Sequence, residues 1–95
     1  MMQMYNPPHP GEVLLDGVFS GTGISSEDFA ERIGWPHVAF LRVLQGQDAI
    51  NAELALRLAA ALGGEAESWL HMQASYDLSQ ARQKPRPAIE RLNSI

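Results

Sequence analysis

The chain has 95 residues, 45% of them hydrophobic and 19% charged, which fits one small globular domain with one core and excludes wholesale disorder. It contains no cysteine, so disulfides, thiol nucleophiles and cysteine-based zinc sites are excluded. The net charge of −4 is unevenly spread: residues 1–81 carry Arg32, Arg42 and Arg57 against ten acidic side chains, a balance of −7, while residues 82–95 carry Arg82, Lys84, Arg86 and Arg91 against Glu90, +3.

An acidic body weakens any purely electrostatic case for nucleic acid. No apolar run approaches the roughly 18 residues a membrane-spanning helix needs. Met1-Met2-Gln3-Met4 lacks the basic start of a secretory signal, so a cytoplasmic protein without a membrane partner is expected. Aromatics are few at 7%, and Ala and Leu are abundant, a bias toward helices.

Residues 1–9, ending Asn6-Pro7-Pro8-His9, have no period and read as an extended N-terminal arm. Pro10 suits a first helical position, because its missing N–H is not needed there. Val13, Leu14 and Val18 continue a helix that Ser20-Gly21-Thr22-Gly23 stops. Ser25 and Asp28 resemble a capping box, with Ile24 and Phe29 placed as a hydrophobic staple, so a second helix is expected over 26–33. Gly34 breaks it, and Pro36 opens a third helix running to Gln45, stopped by Gly46. Asn51 caps a fourth, 52–62, which ends at Gly63-Gly64. A fifth starts near Glu65 and runs to about Gln83, before Pro85 and Pro87. The division expected is therefore an arm (1–9), a helical domain (10–83) whose last helix serves dimerisation, and a flexible basic tail (84–95).

The second and third helices, joined by a short turn, meet the packing needs of a helix-turn-helix. Ala30 is small enough for a close crossing, and Gly34 tolerates positive φ in the turn. Phe29, Ile33, Trp35, Phe40 and Val43 form the apolar face. The fold expected from these features is an all-α, five-helix domain with a helix-turn-helix formed by the second and third helices.

The flanks carry a more specific likeness. His9-Pro10-Gly11-Glu12-Val13-Leu14, Phe29-Ala30-Glu31-Arg32-Ile33-Gly34, Arg42-Val43-Leu44-Gln45-Gly46, Ala55-Leu56-Arg57-Leu58-Ala59, and Trp69-Leu70-His71-Met72-Gln73 with Tyr76-Asp77-Leu78 together resemble the short HigA-type (VapI-like) antitoxins of the Cro/repressor class. The resemblance spans about residues 9–81 and implies a lambda-repressor-like DNA-binding domain. It implies a homodimeric operator-binding protein that also neutralises a partner toxin, a small RelE-like (HigB-type) ribonuclease cutting messenger RNA, and represses its own operon. Two rival readings are a solitary regulator of the same fold and a toxin-binding protein that has lost useful DNA affinity.

On the third helix, Phe40, Val43 and Leu44 form the buried stripe, leaving His37, Val38, Ala39, Leu41, Arg42 and Gln45 outward. Arg42, Gln45 and His37 can hydrogen-bond base edges, arginine most naturally to guanine and glutamine to adenine, while Val38 and Ala39 can pack on thymine methyls. Gln47 stands where the resembling proteins commonly carry lysine. Ser25 and Ser26 open a helix N-terminus suited to phosphate, and Asn51 completes the expected DNA-contact set. Trp69, Met72, Gln73 and Tyr76 share a stripe at i, i+3, i+4 and i+7. With Leu78 they are the candidate dimer interface, although Trp69 fits the monomer core better. His9, His37 and His71 are far apart in sequence, so no metal site is expected. Nor is a catalytic constellation or a cofactor.

Overall fold

A computed structural model describes residues 6–93, whose regular elements are all helices, with no strand among them. Helix α1 opens as Pro10–Leu14, widens into a π-helical turn at Leu15–Phe19 and closes with Ser20–Thr22. It is followed by α2 (Ser26–Ile33), α3 (His37–Leu44), α4 (Ala52–Leu62) and α5 (Ala66–Arg82). This is the expected all-α architecture with five helices.

The starts and stops have local causes. The Asp28 N–H donates to Ser25 Oγ at 3.0 Å, and the Leu54 N–H to Asn51 Oδ1 at 2.8 Å, each satisfying a donor that the first helical turn leaves unpaired. Gly23 and Gly34 end α1 and α2 in the left-handed region, at φ 77° and 71°. Pro36 precedes α3 as its cap, with ψ at 133°, so that helix starts one residue later than expected. The π-helical turn falls on Leu15-Asp16-Gly17-Val18-Phe19, where glycine and the residues around it give α geometry little support. Ser20 Oγ donates to the Asp16 carbonyl, and Thr22 Oγ1 to the Val18 carbonyl at 2.7 Å, adding partners along this stretch.

One core joins all five helices. Leu14 of α1, Phe29 and Ala30 of α2, Phe40, Val43 and Leu44 of α3, Ile50, and Leu54, Ala55 and Leu58 of α4 are buried together, and Trp69 and Leu70 of α5 pack against them. Phe19, Phe29 and Phe40 meet with ring centroids 5.6–6.0 Å apart, so α1 and both helices of the helix-turn-helix share an aromatic contact. Ile33 and Trp35, expected on the buried face, are only partly covered.

The described end of the arm is packed, since Pro7 and His9 are buried, while residues 1–5 lie outside the described residues. Residues 85–92 are non-helical and exposed, and the last two positions of the basic tail also lie outside the described part. None of the described helices is long and apolar enough to cross a membrane.

Candidate nucleic-acid interface

Helix α3 buries Phe40, Val43 and Leu44, which fixes what its other faces present. Val38 is 73% exposed, and Arg42 and Gln45 are also exposed. His37 and Ala39 are half-buried. Leu41 departs from the expected outward set: it packs against the core cluster and is half-covered, because its position beside Phe40 borders the buried stripe. The helix has eight residues, about 12 Å at 1.5 Å per residue, comparable to the width of the DNA major groove.

The start of α2 is tied to the start of α3. Ser26 Oγ and His37 Nε2 lie 3.2 Å apart, while Ser25 Oγ is engaged in capping. The turn between the helices is braced from α4. Arg57 Nη1 donates to the carbonyls of Ile33 (3.1 Å) and Gly34 (2.9 Å), its Nε pairs with Glu53 at 2.9 Å, and its guanidinium lies 5.4 Å from the Trp35 ring centroid. One of the three body arginines is therefore spent on holding α2 and α3 at their angle, which helical periodicity does not reveal.

Arg42 is also engaged. Its Nε and Nη2 donate to Asp48 Oδ2 and Oδ1 at 2.9 and 3.2 Å. The hydrogen bond from Arg42 holds the Asp48 carboxyl below the usual carboxylate range, and the same bond raises Arg42. The Gln47 and Asp48 N–H groups both donate to the Arg42 carbonyl, at 2.8 and 3.2 Å, so this turn folds back on Arg42 twice. Gln47 is exposed in it, and Asn51 Oδ1 is occupied as the α4 cap.

Beneath the turn lies His9, 3% exposed. Its Nδ1 accepts the Gly11 N–H at 2.9 Å, and its ring meets Tyr76 edge-on with centroids 4.9 Å apart. Burial lowers the His9 pKa, against the opposing effect of a hydrogen bond to the Asp48 backbone. With Nδ1 accepting, the neutral ring carries its proton on Nε2. The sequence motif around His9 was visible, but its role as a buried joint required the partners from distant elements.

The α5 stripe turns inward more than expected. Gln73 is 6% exposed; its Oε1 accepts the Ile50 N–H at 2.8 Å, and its Nε2 donates to Asp77 Oδ1 at 3.0 Å. The side chain expected at a subunit interface thus faces the interior, where it satisfies the Ile50 N–H out of reach of water. Trp69 packs on the core, and Tyr76 packs on His9, both half-buried. Met72 is half-buried beside a groove that also involves Pro7, Pro8, His71 and Ser75, and Leu78 is exposed.

No family model matches the chain. It is 37% identical over 75 residues to virulence-associated protein I of Dichelobacter nodosus, covering 79% of this chain and 69% of that one. It is 33% identical over 78 residues to the antitoxin HigA-1 of Vibrio cholerae, with 82% and 73% covered. The Pseudomonas aeruginosa antitoxin HigA, solved with the higBA promoter, superposes with a TM-score of 0.78 at 28% identity, over 82% of this chain and 85% of that one. Likeness over most of both lengths, in sequence and in fold, places this chain in the HigA-type (VapI-like) family of helix-turn-helix antitoxins.

Proposed function

We propose that this protein is a non-catalytic, cytoplasmic antitoxin that acts as a homodimer. In this reading it binds operator DNA in its own promoter through α3 and neutralises a small RelE-like, HigB-type messenger-RNA-cleaving toxin. The observation that carries the reading is the outer face of α3: Val38, Arg42 and Gln45 are exposed on a helix whose position is fixed by the core and by Arg57. The Pseudomonas aeruginosa relative was solved with the higBA promoter, which supports promoter DNA as the ligand.

In the complex we assign base contacts to Arg42, Gln45 and Val38, with Ala39 and His37 at the margin. Ser25, Ser26, Gln47 and Asn51 face the backbone, where the α2 N-terminus supplies N–H donors. Met72 and Leu78 carry the subunit contact on α5. A twofold dimer then matches half-sites about one helical turn apart. Residues 10–83 form the working unit.

Competition binding to the chain's own promoter tests the reading directly. A defined sequence should outcompete bulk DNA, and a small basic protein encoded next door should co-purify. Binding without a co-purifying partner would leave a solitary regulator. A partner without sequence-selective binding would leave a toxin-binding protein.

A further inference from the structure

We propose that Asp48 is a positioning residue for DNA recognition, holding the Arg42 guanidinium so that its outer edge is presented in one orientation to a guanine. The inference rests on α3 being the groove-reading helix.

The geometry of the pair is one-sided. Asp48 engages Nε and Nη2 of Arg42, which lie along one edge of the planar group. A guanidinium carries five N–H donors, so three remain, on Nη1 and the far side of Nη2. That remaining edge has the two-pronged shape that matches O6 and N7 of guanine. A carboxylate across the opposite end would have blocked it.

Asp48 can act as a fixed support because its own backbone is held. Its N–H is bonded to the Arg42 carbonyl, and the turn that carries it lies on the ring of His9, where a Cβ added at Gly46 would sit 3.7 Å from His9 Cγ; that ring is buried against Tyr76. A chain of contacts thus runs from α1 and α5 through His9 and this turn to the exposed tip of Arg42. An unsupported arginine loses rotamer freedom when it docks on a base. Here part of that ordering precedes DNA binding.

The carboxylate has a second effect. It offsets the charge of Arg42 and repels nearby phosphates, which disfavours a generic backbone contact by the same side chain. Asp48 therefore favours selection of a base over general affinity for duplex.

The test is selection from a randomised duplex library with the full chain, comparing wild type, Arg42→Ala, Asp48→Asn and Asp48→Ser, with thermal melting as a folding check. Wild type should prefer guanine at one base pair per half-site, and Arg42→Ala should erase that preference. Asp48→Asn should weaken it by about 2- to 12-fold, the range for one side chain's ordering, while leaving other positions unchanged and binding random duplex as well or better. Asp48→Ser should follow Asp48→Asn. An undiminished guanine preference in both Asp48 variants overturns the proposal, as does a uniform loss at every position that tracks a lower melting temperature. If Arg42→Ala leaves every preference intact, operator binding stands and this inference falls. If wild type selects no sequence at all, the operator-binding reading itself falls.

Discussion

Gln73 Oε1 accepts the Ile50 N–H at 2.8 Å inside the domain, joining the middle of α5 to the turn before α4. Twenty-three residues separate the two groups, and both are buried. Ile50 lies in an irregular segment, so its amide has no helical partner of its own. Replacing Gln73 with Leu would strand that donor without water. Unfolding by urea should show a loss of about 1–3 kcal/mol, the cost of an unsatisfied buried amide. Unchanged stability, with loss of dimer instead, would return Gln73 to the subunit contact.

Gly11 brings α1 onto the backbone at the end of α3. A Cβ added there would run into the Val43 carbonyl oxygen and lie 3.0 Å from Leu44 Cα. Main chain cannot yield as a side-chain tip can. Gly11→Ala should therefore destabilise by about 1–3 kcal/mol or more, read as a lower urea midpoint. Gly17→Ala is the matched control, because the same added atom meets nothing within 4 Å.

His9 makes folding stability depend on pH. Its folded pKa is lowered from 6.5 by burial, so below that value the unfolded chain binds more protons at this site than the folded one. Stability from His9 is then fully present above pH 6.5 and declines as pH falls through 6.5 toward the folded pKa. Urea midpoints measured at about pH 7.5 and 5.5, either side of the ordinary histidine value, should show the decline. His9→Asn keeps a capping side chain but cannot titrate there, and should remove this part of the pH dependence.

Arg42→Ala should reduce operator affinity by about 1–3 kcal/mol, the range for one lost base contact, while leaving thermal stability nearly unchanged because the pair with Asp48 is exposed. Fluorescence anisotropy with operator and random duplex separates the two effects. An equal loss on both duplexes would mark Arg42 as a phosphate contact.

The acidic body limits the charged contacts available to DNA. Arg57 is committed to the α2–α3 turn, which leaves Arg32 and Arg42 in each protomer's body. If all four arginines of a dimer met phosphate, the slope of log affinity against log salt would be no steeper than about −4. A steeper slope that shrinks when residues 84–95 are deleted would assign the excess to the basic tail.

Local signals were sufficient for much of the fold. Pro10, Ser25, Gly34 and Asn51 act within a turn of their own position, so the helix limits could be read nearly residue by residue. The buried stripe Phe40, Val43 and Leu44 likewise follows from helical period alone. What only the tertiary structure decided are the partners of polar side chains across long separations. Gln73 faces Ile50, Arg57 reaches Ile33 and Gly34, and His9 sits under the turn at Gly46 against Tyr76. Periodicity sorts residues by apolar character, and it placed Gln73 on a stripe without revealing whether that stripe met solvent, a subunit or a lone amide. A buried hydrogen bond depends on where two backbones meet in space, and that is set by the packing of all five helices together.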